Sequence, residues 1–134
     1  MDDACHDFAG LIDAHAAADR SPRARLRRVV QSVLDDPGGC HEVARLAERA
    51  AMSPRTLSRA FRRETGTSPA RFVERARLAF ARLLIERSGF RLDCVAARSG
   101  FRSAERMRRA FHRGLGASPA QVRRDHFGWG TTLR

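Results

Sequence analysis

No stretch of this 134-residue sequence is long and apolar enough to span a membrane, and no secretory leader is expected at its start. Asp2 and Asp3 follow Met1 where a positively charged n-region would stand. A soluble, cytoplasmic protein without a membrane partner is expected. Cysteine is scarce: Cys5, Cys40 and Cys94 are odd in number and widely spaced, which argues against a disulfide framework and suits a reducing compartment. No CxxC or HxxxH spacing accompanies them, and the adjacent pairs Cys5-His6 and Cys40-His41 are poor joint chelators, so neither a metal nor a cofactor is expected. A nucleophile-and-base constellation is missing too, which leaves no catalytic residue to name. No alternating strand pattern occurs, so the fold class is all-α. Lysine is absent altogether.

The place of lysine is taken by arginine, which supplies all 26 basic side chains against 15 acidic ones and gives a net charge of +11. A chain this basic seeks polyanions, and the guanidinium group matches phosphates and guanine edges better than an ammonium does. Alanine and arginine are common throughout, so the placement of arginines carries more information than their number. With 43% hydrophobic residues there is enough apolar material for a modest core.

Residues 1–20 hold one weak amphipathic pattern, Phe8, Leu11, Ile12 and His15, expected as a tail or frayed helix. Ser21-Pro22 starts the first firm helix, with Leu26, Val29, Val30, Val33 and Leu34 on its apolar face, and 35–39 stops it. A short helix over about 42–50 follows, burying Val43, Leu46, Ala47 and Ala50, and Ser53-Pro54 starts another with Leu57, Ala60 and Phe61 inside. Gly66-Thr67-Ser68-Pro69 separates that helix from a long one over 69–88. Two apolar stripes run along it, Phe72, Ala76, Ala79, Phe80 and Leu83 on one side and Leu78, Ala81 and Ile85 on the other. The pattern restarts over 92–99, turns at Gly100-Phe101, and continues as a helix from Ser103 and a short last helix after Ser118-Pro119. Residues 128–134, with Trp129 among glycines, are expected as a flexible tail.

A self-match at an offset of fifty residues organises these elements. Residues 53–72, SPRTLSRAFRRETGTSPARF, align without gaps on 103–122, SAERMRRAFHRGLGASPAQV, with nine of twenty positions identical. Composition bias does not align Phe61/Phe111, Gly66/Gly116 and Ser68-Pro69/Ser118-Pro119 together. Each copy reads as a helix-turn-helix, over 42–66 and 92–116, the second with one more residue in its turn. The long helix would span about 28 Å, comparable with the ~34 Å between successive major-groove turns on one face of B-DNA.

These motifs, LA-x5-SP-x2-L-x-R-x-F-x4-G-x-SP from Leu46 to Pro69 and VA-x3-GF-x-S from Val95 to Ser103 with RAF and G-x-SPA behind it, resemble the DNA-binding domain of AraC/XylS regulators. The resemblance covers roughly 21–127. It implies seven helices in two subdomains joined by the long helix, and sequence-specific promoter binding. Double-stranded DNA and RNA polymerase are the partners expected, for a chain acting as a monomer. Members commonly carry a second domain for effector sensing or dimerisation. A stand-alone regulator, a fragment, or a descendant without its sensor all fit the sequence.

With Leu57, Ala60 and Phe61 inward, Arg55, Ser58, Arg59 and Arg62 form the outward face of the first recognition helix. Arg59 is the best base reader, since arginine bridges guanine O6 and N7. The second face is Glu105, Arg108, Arg109 and His112, with Arg106 beside it; Glu105 either accepts from a cytosine amino group or orients a neighbouring arginine. Thr56, Arg63 and Arg113 are expected at phosphates. Most exposed helix arginines are only solvated, and Arg23, Arg25, Arg27 and Arg28 are read as general electrostatics. Phe61, Phe80, Phe101 and Phe111 are expected in the core. A nonspecific nucleic-acid or RNA binder is the competing binding class, without RGG tracts or exposed aromatic platforms to support it; an enzyme carrying such a module is the third.

Overall fold

A computed structural model describes residues 20–132, with side chains as far as Phe127; the pattern around Phe8 and the side chain of Trp129 lie outside the described residues. The described residues are all-helical: α1 (Pro22–Asp35), α2 (Val43–Ala50), α3 (Pro54–Thr65), α4 (Pro69–Arg87), α5 (Leu92–Arg98), α6 (Ala104–Leu115) and α7 (Pro119–Thr132). Serine hydroxyls define five of the starts. Ser21, Ser53, Ser68, Ser103 and Ser118 each accept from the backbone N–H three residues on, at 3.1–3.2 Å. Gly66 and Gly116 end α3 and α6 at φ 77° and 68°, a left-handed conformation that costs glycine nothing.

Two cores form. Leu26, Val29 and Val33 of α1 meet Leu46, Ala47 and Ala50 of α2 and Leu57, Ala60 and Phe61 of α3, closed by Val73 of α4. The second core repeats the plan with Leu78, Ala81 and Ile85 of α4, Val95 and Ala96 of α5, and Met107, Ala110 and Phe111 of α6, with Phe101 from the turn. The triad on α1 and the triad on the later part of α4 share one spacing, i, i+3, i+7, so each unit is three helices rather than two. Ser99 takes the place of Ala50; it is fully buried, and its hydroxyl donates to the Val95 carbonyl.

The long helix is thus shared between the units; the stripe of Leu78, Ala81 and Ile85 is buried as expected, and the other is shorter than its sequence pattern. Phe72, Val73 and Ala76 pack on the first core, the Phe72 ring standing edge-on to Phe61 at 5.5 Å, whereas Leu78, Ala81, Leu84 and Ile85 serve the second. Ala79 and Leu83 are exposed and Phe80 is half-buried, because the first unit reaches only the first two turns of α4. Val73, not assigned to either stripe, is buried. On α1, Val33 occupies the core and Leu34, about 100° further round, is 52% exposed rather than part of the apolar face. The last helix has 14 residues, longer than expected, and its backbone continues through Gly128 and Gly130.

The turns explain the extra residue of the second unit. Ala51 in the first and Gly100 in the second both adopt positive φ, 52° and 85°. Met52 then corresponds to Phe101, Ser53 to Ser103, and the inserted residue is Arg102, itself at φ 59°. Arg25 is more than general charge: its Nη1 donates to the Ala51 carbonyl at 3.3 Å and lies 3.5 Å from that of Ala50, satisfying orphan groups where α2 ends.

Candidate nucleic-acid interface

Burying Leu57, Ala60 and Phe61 forces the rest of α3 outward. Arg55, Arg59 and Arg62, spaced i, i+4, i+7, are exposed and their side chains have no partner among the described residues. Ser58 is half-buried on the flank of this face. Thr56 is exposed but engaged, its Oγ1 accepting from Ser53 Oγ at 2.8 Å, and Arg63 stands 3.9 Å from Glu64. Glu64 also faces Arg23 at 3.5 Å.

On α6 the outward face is organised differently. Arg108 donates to both Glu105 oxygens, from Nε at 3.0 Å and Nη2 at 2.7 Å, and Arg109 Nε adds a third bond at 3.2 Å. The hydrogen bond from Arg108 is the first cause that holds the Glu105 carboxyl down at about 2, and the same fork raises the pKa of Arg108. Both oxygens of Glu105 are thus engaged by arginines of its own helix. Arg55 stands fifty residues earlier at the matching position, so the first face has no such clamp. Arg106 and His112 are exposed, and Arg113 is tied to Glu74 of α4 at 2.6 Å.

Between α4 and α6 lies a cleft of about 580 Å³ lined by Glu74, Arg77, Arg102, Arg106, Arg109 and Arg113, with Val73 and Phe101 among the apolar residues behind them. Five arginines against one carboxylate make it a local cationic trough. Arg77 and Arg102 were not among the residues expected at the site. Arg102 had a sequence signal, the one-residue excess in the second turn; Arg77 had none, being one arginine among many on a long helix.

Two units of three helices, each presenting the outward face of its third helix, define a tandem helix-turn-helix protein. Residues 46–125 match the family described as helix-turn-helix domain. The chain belongs to this family, in its AraC-type form, a family of DNA-binding transcriptional regulators and not of enzymes. It is 48% identical to the HTH-type transcriptional regulator Rv1931c of Mycobacterium tuberculosis, over 70% of this chain and 40% of that protein. It is 31% identical to the HTH-type transcriptional activator RhaS of Escherichia fergusonii, over 78% of this chain and 38% of that protein. The chain thus spans about two fifths of the length of these relatives. The solved DNA-binding domain of AdpA, a global transcriptional factor in complex with a target DNA, superposes with a TM-score of 0.74 at 40% identity, covering 77% of this chain and 93% of that one.

Proposed function

We propose that this chain reads a bipartite promoter site, inserting α3 and α6 into adjacent major-groove segments on one face of the duplex. The observation that carries this reading is the pair of equivalent helices, each with an arginine-bearing outward face, joined through a continuous 19-residue helix of about 28 Å. The AdpA domain, solved on target DNA, supports it by likeness. Arg59 and Arg109 are the base readers; Arg55, Ser58, Arg62, Arg108 and His112 complete the faces; Thr56, Arg63, Arg106 and Arg113 lie toward phosphates; and Glu105 acts through its two arginines. Both reading heads sit in one chain, so a monomer suffices. In the bacterial cytoplasm, on the nucleoid, the bound chain would act on RNA polymerase, a reading supported by the name of the RhaS relative as an activator.

Selection from a random duplex pool, followed by affinity measurements on the selected site, tests the reading. Arg59→Ala or Arg109→Ala should each cost about 1–3 kcal/mol on that site and relax the preference at one position. Equal losses on selected and scrambled duplexes would reduce both residues to phosphate contacts. A preference for single-stranded RNA over duplex would favour the competing binding class.

A further inference from the structure

The linker helix is one attachment between the two units; a second lies off its axis. The loop between α1 and α2 is fastened to the first unit by Arg49, whose guanidinium donates to the Cys40 carbonyl at 2.6 Å, Ser32 Oγ at 3.1 Å and His41 Nδ1 at 3.0 Å. Buried His41 therefore turns its Nε2–H to the Asp36 carbonyl at 2.5 Å. The same loop is fastened to the linker helix by Arg77, which donates from Nε to the Pro37 carbonyl at 3.0 Å and from Nη2 to that of Gly39 at 2.9 Å. Finally, the loop abuts the turn of the second unit. A Cβ on Gly38 would overlap the Arg98 carbonyl oxygen, and one on Gly100 would lie 2.7 Å from Arg77 Nε and 3.1 Å from Gly38 Cα. Burial lowers the pKa of Arg77, Cys40 opposing and Arg102 reinforcing the shift.

Arg77 therefore stands where the first unit, the linker helix and the second unit meet. We propose that Arg77, seated between Gly38 and Gly100, locks the angle and distance between α3 and α6 and so sets the half-site spacing the chain accepts. Arg77 is a positioning residue, and its role rests on the bipartite reading above. A single inserted base pair moves one half-site by ~3.4 Å along the axis and ~34° around it. A stiff two-headed reader gains avidity only at matched spacing, whereas a loosened one loses peak affinity and tolerates the mismatch.

The test uses the full chain and the duplex that the wild type selects from a 30-base-pair random pool, with versions carrying one base pair inserted or removed between the half-sites. Fluorescence anisotropy at fixed salt should show the wild type losing roughly a hundredfold on either change. Arg77→Met and Arg77→Lys, folded by circular dichroism, should bind the matched site more weakly yet lose less than about fivefold on respacing. Gly38→Ala approaches the junction from the other side and should behave alike, which keeps the proposal falsifiable where an Arg77 variant does not fold. Variants as spacing-sensitive as the wild type would overturn it. So would a uniform loss with the ratio unchanged, which would make Arg77 a phosphate contact. A wild type that is specific but indifferent to spacing would overturn the junction's role alone, and one that selects no sequence would overturn the bipartite reading itself.

Discussion

Ala51 and Gly100 occupy the same left-handed position in their two turns, and exchanging the residue types should have unequal consequences. At Ala51 a non-glycine residue costs about 1–2 kcal/mol in the left-handed region, and removing the Cβ returns some 0.4–1 kcal/mol of that to the unfolded chain's entropy. Ala51 is exposed, so no packing is lost with its methyl. Ala51→Gly should therefore stabilise by about 0.5–1 kcal/mol, a rise in Tm of roughly 3–6 °C. Gly100→Ala meets the reverse of that backbone effect and an obstruction as well. The new Cβ would stand 2.7 Å from Arg77 Nε, so the guanidinium must move from the Pro37 and Gly39 carbonyls. Bonds from a charged donor contribute about 1.5–3 kcal/mol, which brings the expected loss to ~3 kcal/mol. Urea denaturation of both variants against wild type measures the contrast. A Gly100→Ala loss of only about 1 kcal/mol, mirroring the gain at Ala51, would mean that Arg77 and Gly38 do not crowd that turn.

Ser99→Ala should cost less than about 1 kcal/mol by urea denaturation, because Ala50 fills the equivalent place and the hydroxyl only adds to a carbonyl of its own helix; a loss near 3 would show that Ser99 has a partner beyond Val95. Phe111→Ala should cost about 3–5 kcal/mol and Leu34→Gln within about 0.5, and comparable losses would contradict the assignment of Phe111 to the core and Leu34 to the surface. Glu105 should titrate near 2 rather than 4.5 by side-chain NMR. Its folded pKa is depressed, so any stability from the Arg108 fork is full above 4.5 and lost as pH falls through 2, and Arg108→Gln should move the midpoint upward. A wild-type midpoint near 4.5 would show the fork to be open in solution.

Helix existence was legible because local chemistry and periodicity agree: Ser-Pro starts and glycine stops bracket apolar residues that do pack, as at Leu57, Ala60 and Phe61. Where only periodicity was available it overreached, at Leu34, Ala79 and Leu83, since a pattern cannot show how far a neighbouring unit extends along a helix. The outward faces of α3 and α6 followed from their buried ones. What fastens them did not: the Glu105 clamp needs side-chain rotamers, and the Arg77 junction joins residues 38–40 positions apart to a turn of the other unit. Arg102 lay between these cases, visible as an excess residue but not as a strained one.

The matching triads Leu26, Val29, Val33 and Leu78, Ala81, Ile85 bear on the ancestry of the linker helix. The duplicated segment carried its own opening helix, so α4 is no spacer laid between two finished readers. Its first turns, from Ser68 to Phe72, match Ser118 to Val122 at the start of α7 and close the first core as Val122 packs on the second, while its later turns repeat α1. One element thus closes one core and opens the other, so tether and structural wall are the same helix.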